Sequence, residues 1–423
     1  MSRGLLILVL LVVNAHAATK WGCDLSFLAK LEHNGAVFSR DGVERDALSI
    51  FRAAGFGTLR LRLWHTPGEL WHGLDSTVTL AQRGKQLGFE ILLDIHYSDS
   101  WADPGQQTKP LAWQSLSFAQ LEDSVYAYSN YVTRRFRDED VLPQAVQIGN
   151  EIGSGMLWND GRAGGAYDTP QQWQNFAALL NAGIAGVRDS LPESHWPAIV
   201  IHHQEGGNNG ACRWFFDHLV ELNVDFDVIG VSFYPWWHGD LDDLSQNLND
   251  LSARYNKDVQ VVETAYPWTT GWCDNTGNIV GDQTPLLPAY PAQPLGQAFF
   301  LADLFERVEQ VANSRGAAVM LWEPDWISSP TFGSPWENLA LFDCNGASQP
   351  VFGIFPGLAP EELTIVRAGD FIHLRWREDA NAFYRIYSGQ TLLATTSESF
   401  YSISLSTLSD STYFFEVRAA TTP

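Results

Sequence analysis

Between residue 20 and about residue 355, short apolar runs rich in β-branched residues alternate with longer segments in which apolar residues recur every three or four positions. The short runs predict buried strands, and the longer segments predict amphipathic helices. Eight strands are predicted, at Trp21–Leu25, Thr58–Leu63, Ile91–His96, Val146–Gly149, Ile199–His202, Val228–Ser232, Val259–Glu263 and Ala318–Trp322. The helical segments are Val43–Ala54, Thr77–Leu87, Phe118–Phe136, Gln171–Asp189, Leu241–Tyr255 and Gly296–Ser314.

This alternation predicts an α/β fold, a (β/α)8 TIM barrel, whose active site would lie at the C-terminal ends of the strands. The alternative is an open, doubly wound sheet. Such a sheet commonly carries a glycine-rich phosphate turn after its first strand, and residues 23–26 here read Cys-Asp-Leu-Ser. The sequence therefore favours the barrel.

The helical pattern stops near residues 356–360, and Thr, Ser, Tyr and alternating apolar residues take over. We expect a barrel domain over residues 19–356 and a small β-sandwich-like module over residues 357–423. Its strands are predicted at Leu363–Val366, Phe371–Trp376, Tyr384–Tyr387 and Tyr413–Val417. The module resembles a fibronectin type III domain with Trp376 as the core indole and Tyr413 at the corner. A packing or linker domain is favoured over a carbohydrate-binding or spacer appendage.

The first eighteen residues predict a secretory signal peptide. Arg3 precedes an apolar run, Leu5–Val13, and Ala15 and Ala17 supply the small residues of a cleavage site. The run is much shorter than the ~20 residues that span a bilayer, which argues against a membrane anchor. We therefore expect a secreted protein, either periplasmic or extracellular.

Composition and charge argue against some classes of binding partner and favour others. Of 423 residues, 45% are hydrophobic, and the net charge is −23. Because such an exterior repels nucleic acids and anionic membranes, we expect neither as a partner, and we expect a monomer. Seventeen tryptophans are more than a core needs, and they favour a cleft in which indoles stack on sugars.

Four cysteines, Cys23, Cys212, Cys273 and Cys344, are compatible with export. They allow three complete disulfide pairings, which the sequence does not rank, and buried thiols are the alternative. Their wide and irregular spacing argues against a zinc site.

Two glutamates stand where strands end. Glu151 follows the fourth predicted strand, and Glu263 ends the seventh. Facing carboxylates can cut a glycosidic bond with retention if they lie ~5–5.5 Å apart, one as acid and one as nucleophile. Asn150 is placed to bond a sugar 2-hydroxyl, and Tyr234 or His202 is placed to orient the nucleophile.

A lone glutamate at a strand end is weak evidence, because most such residues are ion-paired or solvated. Glu205 and Glu323 compete for the catalytic roles and rank lower. His96 and His202 lie on separate strands without a third metal ligand, so we expect them to bind sugar hydroxyls or the catalytic groups.

Several segments together carry a family resemblance. The most specific are residues 93–105 (LDIHYSDSWADPG) and residues 147–152 (QIGNEI). The segment RLW precedes them at residue 62, and the segments HHQEG, GVSFYP, VVETAYP and LWEPDW follow at residues 202, 230, 261 and 321. In this order they resemble glycoside hydrolase family 53, the endo-β-1,4-galactanases of clan A, over about residues 20–350.

The resemblance implies a retaining enzyme in which Glu151 is the acid/base and Glu263 is the nucleophile. Glu151 must then hold a proton, so we expect its pKa to be raised by burial and by the charge of Glu263. Glu263 must stay ionised, and Arg62, which matches the family's second-strand arginine, is expected to supply the positive charge. The predicted substrate-binding residues are Arg62, Trp64, His96, Asp99, Trp101, Asn150, His202, Tyr234, Trp322 and Trp326.

The implied substrate is the β-1,4-galactan of pectin side chains, also called type I arabinogalactan. Mannan, xylan or β-glucan are alternatives that keep the barrel and both glutamates. A catalytically silent carbohydrate-binding protein is a further alternative, and the presence of both glutamates in their motifs argues against it.

No cofactor is expected to be required, and no metal is assigned. In the loop after the seventh strand, where some bacterial members of the family bind a structural calcium, Asp274, Asn275, Asn278 and Asp282 offer oxygen ligands. Their spacing is not that of an EF-hand, and an Asx-rich turn explains them at least as well.

Overall fold

The computed structural model describes residues 19–355 and six strands within residues 364–420. The predicted signal peptide, residues 1–18, lies outside the described residues, and so do Trp376 and Tyr413. In the described part of the chain, no helix is both long enough and apolar enough to cross a membrane.

Eight parallel strands close into a barrel in chain order, with the eighth strand beside the first. We number them first to eighth: Lys20–Asp24, Thr58–Leu63, Glu90–Ile95, Ala145–Ile148, Ala198–His203, Val228–Ser232, Asp258–Thr264 and Gly316–Trp322. Each predicted strand is found within a few residues of its predicted bounds. The (β/α)8 prediction is confirmed, and the doubly wound sheet is excluded.

The helices are Leu28–His33, Ala47–Ala53, Leu74–Gln86, Phe118–Asp138, Pro170–Asp189, Asn209–Glu221, Pro235–His238, Leu241–Tyr255 and Pro294–Glu309. Every predicted helical segment overlaps one of them. The segment at Val43 starts too early, because Val43–Glu44 pairs with Ser39–Arg40 in a short hairpin and Asp46 caps the helix. The sequence prediction missed Asn209–Glu221, which connects the fifth and sixth strands.

The second strand shows how the barrel divides its side chains. Leu59, Leu61 and Leu63 belong to the large apolar core, whereas Arg60 and Arg62 alternate with them and contact carboxylates of other strands. Because successive side chains of a strand face opposite sides, the arginines point into the barrel.

A separate apolar cluster fills the barrel interior near the N-terminal ends of the strands. It consists of Leu92, Val200, Val262, Ala318 and Met320, all buried. The polar residues of the same inward rows come later on each strand, as Asp94 follows Leu92 and His202 follows Val200. The interior is therefore apolar at its base and polar at its C-terminal mouth, where barrel enzymes place their chemistry.

One disulfide is present in the described residues. It joins Cys273, in the loop after the seventh strand, to Cys344, beyond the eighth strand. Cys23 and Cys212 are buried free thiols. Two of the four cysteines therefore form a bridge and two are buried thiols, which differs from each of the three complete pairings.

We expect the double variant Cys273→Ser, Cys344→Ser to lose stability. The bond closes a loop with a sequence separation of 71 residues, and a crosslink over such a loop is worth about 2–4 kcal/mol in the free energy of unfolding. Urea denaturation monitored by tryptophan fluorescence measures the loss. Cys212→Ala, which removes a buried thiol that forms no disulfide, is the control. An unchanged midpoint in the double variant would contradict the prediction.

The described strands beyond residue 355 are Thr364–Ala368, Phe371–Arg375, Phe383–Ser388, Thr391–Thr396, Phe400–Ser404 and Phe415–Ala420. They pair antiparallel in two three-stranded sheets. Before them, the described residues after the eighth strand hold only the 3₁₀ turn Pro350–Ile354 in place of a final barrel helix.

Candidate active site

A β-bulge in the seventh strand directs the side chain of Glu263 into the barrel mouth. Val262 faces the interior with Val200, so the next residue of a regular strand would face the helices. The pairing with the sixth strand shifts here, from Val231 opposite Val261 to Ser232 opposite Glu263. An extra residue of this kind bends a strand and re-aims the following side chain. Both Val262 and Glu263 can therefore lie inside.

The side chain of Glu151 is directed into the mouth by a left-handed backbone conformation rather than by a bulge. Gly149 and Glu151 both have positive φ, of 81° and 49°. Left-handed backbone is unusual for a residue with a side chain and concentrates at functional sites. Here it lets the adjacent Asn150 and Glu151 both reach partners inside the mouth. Glu323 has the same feature, with φ of 45°, directly after Trp322.

Arg60 is the charged centre of the site. Its guanidinium lies 2.7 Å from Asp24 Oδ2, 2.9 Å from Asp94 Oδ2 and 2.9 Å from Glu263 Oε1. It also donates to Asn150 Oδ1 at 2.9 Å. Burial opposes its charge, but the carboxylates Asp94, Glu263 and Asp24 raise the pKa of Arg60 above its ordinary value. Arg60 is therefore a fixed cation that holds four strands together at the level of the nucleophile candidate.

The expected role of Arg62 was wrong. Arg62 Nη2 pairs with Glu323 Oε1 at 3.0 Å, and the residue that pairs with Glu263 is Arg60. The two arginines share the inward face of the second strand, but Arg62 lies one layer further along it. Its guanidinium stacks on Trp101, 4.3 Å from the ring centre. Arg62 is almost fully buried, and its contact with substrate stays a prediction.

Tyr234 orients Glu263, as the sequence suggested for Tyr234 or His202. Its hydroxyl donates to Glu263 Oε2 at 3.2 Å, while Arg60 contacts Oε1. Both oxygens of this buried carboxylate are therefore engaged. The hydrogen bonds of His202 go to other residues, so Tyr234 is the one of the two that contacts the nucleophile candidate.

His202 contacts the acid/base candidate instead. Its Nε2 lies 2.8 Å from Ser232 Oγ, and Ser232 Oγ donates to Glu151 Oε1 at 2.7 Å. The backbone N–H of Glu151 donates to His202 Nδ1 at 3.3 Å. Ser232 is fully buried and pairs in register with Glu263. Ser232 thus lies next to both glutamates, although no sequence argument had selected it.

The two glutamates have unlike electrostatic surroundings. Burial raises the pKa of Glu151, and the charge of Glu263 raises it further, while Ser232 and Arg60 act in the opposite direction. Burial also raises the pKa of Glu263, and the carboxylates Asp24 and Asp94 add to the rise, while Arg60 and the Tyr234 hydroxyl oppose it. Two neighbouring carboxyls that compete in this way share a proton, and the arginine favours Glu263 as the ionised partner.

Asp94 and His96 complete the mouth at the third strand. His96 Nε2 lies 2.9 Å from Asp94 Oδ2, and burial lowers the pKa of His96 despite that carboxylate. The other nitrogen, Nδ1, accepts from Trp64 Nε1 and from the Ala102 N–H, both at 3.3 Å. His96 is therefore a neutral residue that links the second and third strands.

Aromatic side chains form a wall beside this charged centre. The Trp101 ring lies 5.3 Å from Trp64 and 6.1 Å from Trp322. Trp322 lies 6.1 Å from Trp326 and 4.6 Å from Trp336, a residue absent from the predicted set. Trp64, Trp326 and Trp336 are buried, whereas Trp101 and Trp322 keep partial exposure. Of these five indoles, the two partly exposed ones are available to a ligand.

Asp99 and Gln107 connect the surrounding loops. Asp99 accepts from the N–H groups of Thr66 at 2.9 Å and Leu111 at 2.8 Å, which ties the loops after the second and third strands. Its predicted contact with substrate stays a prediction. Gln107, which was not predicted, is buried and donates to the Asn150 carbonyl at 2.8 Å. It thereby braces the turn that carries Glu151.

In the candidate calcium loop, the aspartate carboxylates accept hydrogen bonds from nearby backbone N–H groups. Asp274 accepts from the N–H groups of Thr276 and Ser334, and Asp282 accepts from the Thr284 N–H. Among residues 19–355 and the six later strands, no group of three or more His, Cys, Asp or Glu side chains is arranged to hold a metal. These contacts fit the Asx-rich turn, and calcium binding stays untested.

Comparisons with known proteins agree with this geometry. The family model for glycosyl hydrolase family 53 matches residues 20–355. The chain belongs to glycosyl hydrolase family 53. A relative from Niallia circulans, described as uncharacterised, is 41% identical over 85% of this chain and 97% of its own length.

Two further relatives carry informative descriptions. The arabinogalactan endo-β-1,4-galactanase of Cellvibrio japonicus is 34% identical to this family 53 chain, over 76% of the chain and 86% of its own length. The solved family 53 catalytic domain of Ignisphaera aggregans is 36% identical with a TM-score of 0.75, covering 81% of this chain and 97% of that one. The barrel is thus the family 53 catalytic domain, and the chain is a glycoside hydrolase.

Proposed function

We propose that this chain is a secreted, endo-acting β-1,4-galactanase that cleaves with retention of anomeric configuration. Membership of family 53 and the similarity to the Cellvibrio japonicus galactanase support the substrate. The observation that carries the mechanism is a pair of glutamates with unlike partners, of which Glu263 is buried and Glu151 is half-buried. Glu263 contacts the cation Arg60, and Glu151 contacts the neutral hydroxyl of Ser232. The proposal of secretion rests on the apolar run in residues 1–18.

Glu263 is the proposed nucleophile. A nucleophilic carboxylate must be ionised and held in one orientation. Arg60 at Oε1 favours the ionised form, and the Tyr234 hydroxyl at Oε2 fixes the plane of the carboxylate. As the glycosyl-enzyme bond forms, the negative charge of Glu263 is consumed.

Glu151 is the proposed acid/base. Before the first step its proton is stabilised by burial and by the negative charge of Glu263. Once Glu263 is esterified, that charge is gone and the pKa of Glu151 falls. Glu151, having protonated the leaving oxygen, is then suited to deprotonate the water that hydrolyses the intermediate.

The substrate is proposed to lie over the aromatic wall. Trp101 and Trp322 offer partly exposed ring faces, and galactose rings stack on such faces through their C–H groups. Asn150 is held by Arg60 and by the Ala102 carbonyl, which places its amide beside Glu151 as a partner for a sugar 2-hydroxyl.

The C-terminal region, residues 357–423, is proposed to fold as a separate fibronectin type III-like spacer. The support is the antiparallel pairing of its described strands in two sheets and the sequence resemblance. Deleting residues from 358 onward and assaying soluble and insoluble galactan tests the role. Equal relative losses on both forms fit a spacer, and a selective loss on insoluble galactan shows a binding module.

The function is tested by incubating the purified mature chain with β-1,4-galactan, xylan and mannan in parallel. We expect short oligosaccharides from galactan, and ¹H NMR of the first product to show the β anomer. Cleavage of xylan or mannan alone would assign another substrate. Binding of galactan without cleavage would replace the enzyme with a carbohydrate-binding protein.

Glu151→Ala is expected to slow cleavage only of substrates whose leaving group needs a proton. On galactan, whose leaving group needs a proton, kcat/KM should fall by about 10²–10⁴. On a 2,4-dinitrophenyl β-galactobioside, whose leaving group needs none, kcat/KM should be retained and the glycosyl-enzyme should accumulate in a burst. The alkaline limb of the pH profile for galactan, which reports loss of the Glu151 proton, should vanish. Equal losses on both substrates would remove Glu151 from the acid role.

A further inference from the structure

The hydrogen bonds around His202 define which of its nitrogens carries the proton. The backbone N–H of Glu151 donates to Nδ1 at 3.3 Å. Gln147 Nε2 lies 3.2 Å from Nδ1, but its two hydrogens have nearer acceptors in Asp94 Oδ1 at 2.6 Å and the Gly149 carbonyl at 3.0 Å. Asn150 Oδ1 lies 3.0 Å from Nδ1 and is also supplied by the guanidinium of Arg60 at 2.9 Å. Because a backbone N–H is fixed in direction whereas the Asn150 oxygen has another donor, we assign Nδ1 as the acceptor and place the proton of the neutral ring on Nε2.

The position of that proton decides the direction of the next hydrogen bond. His202 Nε2 has Ser232 Oγ as its partner at 2.8 Å, so Nε2–H donates to Ser232. Ser232 has a single hydroxyl proton, and its other contact is Glu151 Oε1 at 2.7 Å. The Ser232 hydroxyl is thus committed as a donor to Glu151. Both His202 and Ser232 are fully buried, so bulk water does not compete for these bonds.

We propose that His202 and Ser232 are a positioning pair for Glu151: the Nε2–H tautomer of His202 directs the Ser232 hydroxyl at Oε1 and leaves Oε2 as the oxygen that carries the catalytic proton. This inference rests on the proposed role of Glu151 as acid/base. No bond is made or broken in the pair itself. The proton that moves in each catalytic step is the one on Oε2, delivered to the leaving oxygen and later taken from water.

The arrangement meets the need of a residue that must be an acid and then a base. A fixed donor at Oε1 stabilises the carboxylate form and cannot accept a proton from the acid form, so the acid proton is kept on the other oxygen. The charged groups around Glu151 are Glu263, Arg60 and Asp103. The titratable groups around His202 are Arg60, which is charged, and the histidines His203, His96 and His238, whose pKa values are lowered by burial. Burial likewise lowers the pKa of His202 well below its ordinary value. His202 therefore stays neutral while Glu151 changes its protonation state.

The tautomer is testable without any substrate. ¹⁵N-histidine NMR of the mature chain, with His202 assigned by comparison with His202→Gln, should show Nε2 protonated and Nδ1 unprotonated at every pH at which the protein is folded. A proton on Nδ1, or an imidazolium form within that range, would overturn the proposal. Because no galactan is needed, this result is independent of the proposed function.

Ser232→Ala tests the consequence for Glu151. Loss of one hydrogen bond to a carboxylate should move the alkaline limb of kcat/KM on galactan upward by about 1 pH unit, and should lower kcat/KM about tenfold at neutral pH. A ¹³C titration of the Glu151 carboxyl should show the same upward movement in the free enzyme. Ser129→Ala, which removes a buried hydroxyl bonded to Tyr97 far from the glutamates, is the matched control and should change neither quantity.

The outcomes separate the two proposals. A uniform loss of activity at every pH in Ser232→Ala, with the carboxyl titration unmoved, would show a merely structural serine and overturn the positioning role. If the parent chain cuts no galactan, the proposed function fails, while the histidine tautomer and the carboxyl titration still decide the pairing of His202, Ser232 and Glu151.

Discussion

Glu263→Ala is expected to abolish hydrolysis of β-1,4-galactan while the barrel stays folded. Removing the nucleophile leaves no route to the glycosyl-enzyme, and loss of such a group costs on the order of 10⁴–10⁶ in kcat. Folding should survive because Arg60 keeps two carboxylate partners, Asp24 and Asp94. The measurement is the initial rate of reducing-end release, with circular dichroism and thermal melting as checks of the fold.

The stereochemistry of azide rescue distinguishes the two glutamates. With a dinitrophenyl galactoside, azide entering the space left in Glu263→Ala should give the α-galactosyl azide. In Glu151→Ala it should attack the glycosyl-enzyme and give the β-galactosyl azide. Glu205→Gln is the control, because Glu205 bonds Asn208 in the loop after the fifth strand and has no contact with Arg60. Full galactan hydrolysis by Glu263→Ala would assign the nucleophile to another carboxylate.

Arg60→Met is expected to have the largest effect on stability. The guanidinium is 1% exposed and pairs with three carboxylates that are themselves almost fully buried. Removing one partner of a buried charge network leaves the others uncompensated and costs about 3–5 kcal/mol in the free energy of unfolding. Activity should fall as well, because Glu263 would lose the cation that favours its ionised form.

The control for Arg60 is Arg83→Met. Arg83 also contacts two carboxylates, Glu32 and Asp46, but all three side chains are about one-third exposed. Exposed pairs are typically worth about 0–1 kcal/mol, so this variant should stay close to the parent. Arg60→Lys keeps the charge and loses the planar fork, and should retain the fold with reduced activity. Equal stability of Arg60→Met and Arg83→Met in urea would contradict the account.

The barrel was predictable because its signals are periodic. Strands that alternate with helices over some 330 residues of sequence leave few architectures. The helix Asn209–Glu221 was missed even though its buried residues Cys212, Phe215, Phe216 and Leu219 recur at helical spacing. The disulfide was not predictable, since Cys273 and Cys344 meet only after the loops that follow the last two strands have folded.

The catalytic pair was predictable through its motifs, and not through alternation. Regular alternation would send Glu263 toward the helices, because Val262 faces the interior. The bulge that reverses this appears only in the strand pairing. Likewise, the positive φ of Glu151 cannot be predicted from the pattern of apolar and polar residues. The short motifs carried information about backbone shape that residue periodicity does not contain.

The error over Arg62 has a geometric cause. The segment Arg60-Leu61-Arg62 places both arginines on one face of a strand, two residues apart. Which of them reaches the seventh strand depends on the stagger of the barrel, which a one-dimensional pattern does not give. Ser232 was missed for a related reason, because its importance comes from lying opposite Glu263 and within 2.7 Å of Glu151.

The central claim is that Glu263 attacks the sugar, and trapping the intermediate tests it most directly. The mature chain is incubated with a 2-deoxy-2-fluoro β-galactobioside that carries a dinitrophenyl leaving group, and the labelled peptide is then sequenced by mass spectrometry. We predict a single fluoroglycosyl group on Glu263, in the segment Val261–Pro267. A label on Glu151, Glu323 or any other residue would contradict the account.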